Sequence, residues 1–151
     1  MKAEIVELKP DDFEKCGNIW DIKEQSELAR QFFEEILGGV RATYVYTVGG
    51  EFVGEISTVT QADDPDYTVP DERLYLSRLI VKEGYRRQGI GRKLVDHVIE
   101  KARAEGFSEL SVGVDTNNYP ALKLYHAAGF DRILFVGKDE WGEYMKLIKR
   151  L

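Results

Sequence analysis

The sequence predicts a mixed α/β fold, on three observations. Segments with strand periodicity alternate with segments of helical periodicity, glycines stand at many of the joints, and no repeat, low-complexity tract or Gly/Ser-rich linker interrupts the series. A chain of 151 residues is long enough to bury one core and short for two, so residues 1–151 are expected to form a single domain.

Taken in order, Ala3 to Leu8 reads as the first strand. Pro10-Asp11-Asp12 then gives a helix start ahead of Phe13, Cys16, Ile19 and Trp20. A second helical pattern places Leu28, Phe32, Phe33, Ile36 and Leu37 on one face until Gly38-Gly39 stops it. These two helices are expected to pack together. Ala42 to Val48 and Glu51 to Thr60 are rich in β-branched and aromatic residues, and Gly49-Gly50 between them is a two-residue hairpin signal. An acidic loop over 61–72 carries Asp63, Asp64, Asp66, Asp71 and Glu72, and Leu74 to Val81 follows as a buried strand. From about Gln88 to Glu105 a helix aligns Ile90, Leu94, Val95, Val98, Ile99 and Ala102 on one stripe, and Gly106 ends it. Leu110 to Val114 is the next strand, Asn118 to Ala128 a short helix closed by Gly129, and Phe130 to Val136 with Glu143 to Ile148 the last two strands.

Composition removes several function classes. A net charge of -6 opposes nonspecific binding to nucleic acid or anionic membranes and suits a cationic or neutral small substrate. The longest apolar runs, such as Leu79-Ile80-Val81, are far too short to span a membrane. Met1-Lys2-Ala3-Glu4 leads straight into the first strand with no apolar leader, so the expected location is the cytoplasm. One cysteine allows no internal disulfide. With His97 and His126 the only histidines, no metal-ligand cluster has recognisable spacing, and metal is not expected. Cys16 reads as a packing residue, and both histidines as surface or packing groups.

The informative stretch runs from Leu79-Ile80-Val81 through Lys82-Glu83-Gly84-Tyr85 into Arg86-Arg87-Gln88-Gly89-Ile90-Gly91-Arg92. It passes from a buried strand through a short loop into an amphipathic helix, whose first N–H groups lack intrahelical partners and carry partial positive charge. Glycines at 89 and 91 would let a diphosphate approach that backbone closely. Arg86, Arg87, Arg92 and Lys93 crowd the same end, where cations are unfavourable unless a polyanion joins them. Neither a G-x-x-x-x-G-K-[ST] phosphate loop nor the third glycine of a dinucleotide fingerprint is present. The plain alternative is a solvated basic patch around an ordinary glycine turn.

Arg86 to Gly91 resembles the R/Q-x-x-G-x-G/A signature of the GNAT family, the Gcn5-related N-acetyltransferases. Asn118-Tyr119-Pro120-Ala121 followed by Leu124-Tyr125-His126-Ala127-Ala128-Gly129-Phe130 is similar to a second segment of that family. The resemblance is strong over residues 74–130 and extends to the rest by element order. It implies a single-domain GNAT fold, a mixed, mostly antiparallel twisted sheet of about six to seven strands flanked by about four helices and splayed between strands 4 and 5, and acetyl-CoA as cosubstrate. The backbone of Leu79, Ile80 and Val81 would bond the pantetheine arm, and Arg86, Arg87, Gln88, Gly89, Ile90, Gly91 and Arg92 would cradle the pyrophosphate. It assigns Asn118 to the cofactor arm, a role compatible with capping the short helix. Tyr125 would protonate the departing thiolate, the alternative being a core tyrosine that only packs its ring.

The base is less well marked. Some relatives place a glutamate on the strand before the cofactor loop, but Leu74 to Val81 offers only Tyr75, Ser77 and Arg78 as polar members. Glu55 on the preceding strand ranks first, ahead of the acidic 61–72 loop or a water chain; its alternative is an outward-facing strand charge. The acidic loop itself reads either as a lure for a cationic amine or as a solvated loop. The expected activity is acetyl transfer from acetyl-CoA to a primary amine by direct attack in a ternary complex, with Tyr125 and Glu55 as catalytic residues and a small molecule as acceptor. A protein lysine or N-terminus, or a noncatalytic acyl-CoA-binding module, stand as alternatives, and monomer and homodimer stay open.

Overall fold

The computed structural model describes all residues, Met1–Leu151. Its elements are β1 (Ala3–Glu7), a 3₁₀ segment (Pro10–Asn18), α1 (Ser26–Leu37), β2 (Arg41–Val48), β3 (Glu51–Val59), β4 (Arg73–Val81), α2 (Ile90–Ala104), β5 (Glu109–Asp115), α3 (Tyr119–Ala127), β6 (Arg132–Asp139) and β7 (Gly142–Arg150). The strands form a seven-stranded sheet in the order β1-β2-β3-β4-β5-β7-β6. The expected mixed sheet is present: β1–β2, β5–β7 and β6–β7 are antiparallel, and β4–β5 is parallel. The parallel ladder consists of the pairs Arg73↔Glu109, Leu74↔Leu110 and Tyr75↔Ser111.

By contacts the chain divides into two compact units, each built from two stretches of chain: Met1–Thr58 with Arg78–Leu94, and Val59–Ser77 with Val95–Leu151. In the first, β2 and β3 are joined at Gly49 and Gly50, whose φ values of 57° and 84° suit the tight turn that a right-twisted hairpin needs. The expected packing of the first two helical segments is found. Cys16, Ile19, Trp20, Ala29 and Phe32 share a core with Leu8, Val45 and Phe52, and the Phe13 and Phe33 rings meet edge to face at 5.4 Å. The larger of these side chains, such as Leu8, Ile19, Phe32, Val45 and Phe52, contribute about 1.5–3 kcal/mol each through the hydrophobic effect.

Two details differ from expectation. The first helical segment is 3₁₀ rather than α, held by bonds such as Asp12 N–H to Lys9 O (2.9 Å) and Ile19 N–H to Cys16 O (2.8 Å). Its Asp11, Asp12, Cys16 and Gly17 are weak α-formers, and i, i+3 burial suffices to place Cys16 inside. Leu37 is 61% exposed, lying off the face that buries Ala29 and Phe32.

In the second unit, β5, β6 and β7 carry the ladders and β6 bulges between Ile133 and Phe135. Both helices there end on left-handed glycines. At Gly106 (φ 89°) Phe107 N–H reaches back to Ala102 O, and at Gly129 (φ 99°) Phe130 N–H reaches Tyr125 O, each closing the last turn. Phe130 is thereby drawn under α3, 2% exposed, so β6 begins two residues later than the sequence suggested.

Candidate active site

The first unit holds the strand–loop–helix stretch. Lys82 N–H donates to Val53 O (2.8 Å), fastening the end of β4 beside β3, and Tyr85 N–H donates to Lys82 O (3.0 Å) to turn the chain. Gly84, Arg87 and Gly89 take left-handed φ values of 94°, 64° and 81°. A Cβ at Gly84 or Gly89 would meet nothing within 4 Å, so these glycines answer to backbone conformation, not to crowding. Left-handed residues thus recur at Arg87 and Gly89 just before α2, a backbone able to turn N–H groups toward an anion. α2 begins at Ile90 because left-handed Gly89 cannot be helical, which leaves Arg86, Arg87, Gln88 and Gly89 in the loop and Gly91 and Arg92 in the first turn.

That first turn contains no acidic residue, and Arg87, Arg92 and Lys93 are exposed around it. A diphosphate fits such a set: open backbone, the N–H groups of a helix start, and cations beside a first turn that contains no acidic residue. Arg86 is partly committed, its Nε donating to Val81 O at 2.9 Å, so it braces the loop against the strand end. Gly54 on β3 lets α2 lie close; a Cβ there would stand 3.2 Å from Ile90 Cγ2 and 3.4 Å from Leu94 Cδ1. Leu79, Ile80 and Val81 are partly buried on β4.

Glu55 belongs to this unit as well and is not the outward-facing strand charge weighed above, being only 4% exposed. Burial raises its carboxyl above the ordinary 4.5, opposed by the Arg78 charge, the Trp20 N–H and Arg41. The Trp20 approach does not complete a hydrogen bond: Trp20 Nε1 and Glu55 Oε1 are both buried without a partner. Cys16, 1% exposed, is pushed well above the usual thiol range by burial and then by Glu55, so it is a packing residue and not a nucleophile.

Asn118 and Tyr125 lie in the second unit. Asn118 caps α3, its Oδ1 accepting from Ala121 N–H at 3.2 Å. Tyr125 is 6% exposed, its ring set edge to face against Phe130 at 5.4 Å. Burial, and then the neighbouring Tyr75, push its phenol far above the usual range, so it stays protonated at any physiological pH. Tyr75 stacks on Tyr67 at 4.1 Å and 14°. Lys146, buried on β7, binds Asp64 (2.6 Å) and Asp66 (2.7 Å), so two of the five loop carboxylates meet an internal charge and do not serve as a free lure. Sequence reasoning missed Lys146, Tyr67 and the Trp20, Arg41 and Arg78 cluster around Glu55. The available signal was a charged residue inside otherwise apolar strands, at Arg41, Arg78 and Lys146.

The profile of the acetyltransferase (GNAT) family matches residues 3–130. The chain is 40% identical over 70 residues to N-acetyltransferase 8 of Homo sapiens, a match covering 46% of this chain and 30% of that protein. It is 30% identical over 135 residues to GCN5-related N-acetyltransferase 6, chloroplastic, of Arabidopsis thaliana, covering 84% and 44%. The chain therefore spans less than half the length of these relatives. A GNAT family acetyltransferase from Elizabethkingia anophelis with acetyl-CoA bound superposes with a TM-score of 0.73 at 20% identity over 99% of this chain and 98% of that one, a likeness of fold. No helix is long and apolar enough to cross a membrane.

Proposed function

We propose a reaction for this chain, which belongs to the acetyltransferase (GNAT) family: it moves the acetyl group of acetyl-CoA to the primary amine of a small molecule, both substrates being bound together. Residues 1–151 act as one catalytic domain in this reading. The observation that carries it is the acid-free start of α2 behind the left-handed Gly84, Arg87 and Gly89, a backbone cradle suited to a diphosphate. Arg86 to Arg92 hold the diphosphate, the backbone of Leu79, Ile80 and Val81 holds the pantetheine arm, and Asn118 contacts that arm beyond its capping role.

Glu55 takes a proton from the ammonium, its raised pKa matching the task of a base. The neutral amine then forms the new N–C bond as the C–S bond breaks, and backbone N–H groups of β4 steady the carbonyl oxygen. Tyr125 gives its phenolic proton to the leaving sulfur, and the second proton shed by the nitrogen restores the phenol. No acyl-enzyme is needed, in keeping with the inert Cys16.

The experiment is free-thiol release from acetyl-CoA with a panel of amines, alongside calorimetry with acetyl-CoA, CoA, NAD and ATP. Release with at least one amine and selective binding of acetyl-CoA and CoA are expected. Equal affinity for all four ligands would reduce the cradle to a generic phosphate site, and release with no amine would refute the reaction.

A further inference from the structure

In the first unit, four side-chain atoms are buried with no hydrogen-bond partner in the protein: Trp20 Nε1, Arg41 Nη1, Glu55 Oε1 and Arg78 Nε. They sit on neighbouring side chains. The Arg78 guanidinium lies 4.6 Å from the Trp20 ring centroid and 5.3 Å from that of Phe32, and the Arg41 guanidinium lies 4.0 Å from the same Phe32 ring. Trp20, Arg41 and Glu55 are 7%, 6% and 4% exposed, while Arg78 is partly exposed and so forms the open side of the group.

Orphaned polar atoms in a core are costly, and four on adjacent side chains make a complementary set. Three are donors and one is an acceptor. Arg41 already has an anion, donating from Nε to Glu35 Oε1 at 2.9 Å, whereas Arg78 feels the Glu55 charge but its Nε completes no hydrogen bond. The group that answers three donors, two of them on guanidinium groups, is a carboxylate; the group that answers the lone acceptor is an ammonium. Arg78 precedes Leu79 on β4, so a ligand held there lies within one or two strand residues, about 3–7 Å, of the segment assigned to the pantetheine arm.

We propose that Arg78, with Arg41, Trp20 and Glu55, is the recognition site for an acceptor carrying a carboxylate beside its amine, the arrangement of an α-amino acid. This rests on the acetyltransferase reading above and narrows its substrate class. The carboxylate accepts from Arg78, Arg41 and Trp20, and the ammonium donates to Glu55. A purely structural cluster would bind only water and treat every amine alike.

The test compares α-amino acids with their α-amides in free-thiol kinetics, on the native chain and on Arg78→Gln and Arg78→Lys. The native chain should prefer at least one α-amino acid to its amide by about tenfold or more in kcat/KM. Because Arg78 also bears on the Glu55 carboxyl, Arg78→Gln changes the rate with both substrates, but it should cut the preference for acid over amide in kcat/KM about 10–100-fold, with Arg78→Lys intermediate. Equal loss on acid and amide, or no preference in the native chain, would overturn the site while leaving the acetyltransferase reading intact. A second measurement follows Trp20 fluorescence in a Trp141→Phe protein, 141 being the position of the other tryptophan. Quenching by amino acids that Arg78→Gln abolishes, with thiol released by no amine, would keep the recognition site and refute the reaction. Neither quenching nor release would refute both.

Discussion

Replacing Tyr125 with Phe isolates the hydroxyl from the ring. The ring is 6% exposed and meets Phe130 edge to face, and both features survive in the variant. Phe loses no packing volume except one oxygen, so stability should move by less than about 0.5 kcal/mol, or about 2 °C in a chain of this size. The kinetic effect is larger. A positioned general acid contributes about 10²–10⁴-fold, but the raised phenol is a weak acid against a thiol of ordinary pKa about 8.5, which makes the transfer uphill and favours the low end. We expect kcat to fall about 30–300-fold, equivalent to about 2–3.4 kcal/mol, with acetyl-CoA affinity unchanged. Steady-state thiol release beside a thermal melt checks this. An unchanged kcat in a folded Tyr125→Phe protein would remove the hydroxyl from the mechanism, and a large drop in melting temperature with kcat unaltered would make Tyr125 a core residue.

Two further perturbations test other parts of the chain. A Cβ at Gly113 of β5 would fall on the Tyr67 hydroxyl and 3.1 Å from its Cζ, so Gly113→Ala should cost about 1–2 kcal/mol, or about 2–8 °C, after the strand gain of Ala over Gly. Adding Tyr67→Phe should recover part of that loss in a double-mutant cycle, and strict additivity would show that the two residues do not meet. Glu55→Gln removes a carboxyl whose pKa is raised by burial. With Glu55 in place the folded chain holds more protons than the unfolded one between about the ordinary 4.5 and the folded pKa, so native stability falls as pH rises through that window. Melting temperature against pH should be flatter for Glu55→Gln there, and parallel curves would mean that Glu55 is no buried acid.

What the sequence disclosed and what it concealed follow from the range over which each feature is determined. The Gly49-Gly50 hairpin, the Gly106 and Gly129 stops and the Asn118 cap are fixed within a few residues, and each was legible. The loop from Gly84 to Gly91 was legible for the same reason, since glycine spacing before an amphipathic helix is itself local. The start of α2 was not, because helical periodicity continues to Gln88 while only the left-handed φ of Gly89 forbids a helix there. Glu55 shows a different limit. Alternation assigns a charge between Gly54 and Ile56 to an outer face only if one face of the strand meets solvent, yet β3 is buried from Phe52 to Val59 on both faces. In such a strand the period carries no directional information, so Glu55 reads the same inside or out. Its partners come from Trp20, Arg41 and Arg78, 35, 14 and 23 residues away, and Lys146 meets Asp66 across 80. Non-local charges of this kind leave one local trace, a charged residue in a run of β-branched and aromatic neighbours, as at Arg78 before Leu79-Ile80-Val81. Such a residue is costly to bury unless something on the far side of the chain, or a ligand, answers it. That is why the unanswered donor on Arg78 points to an acceptor's carboxylate while the answered charge on Lys146 does not.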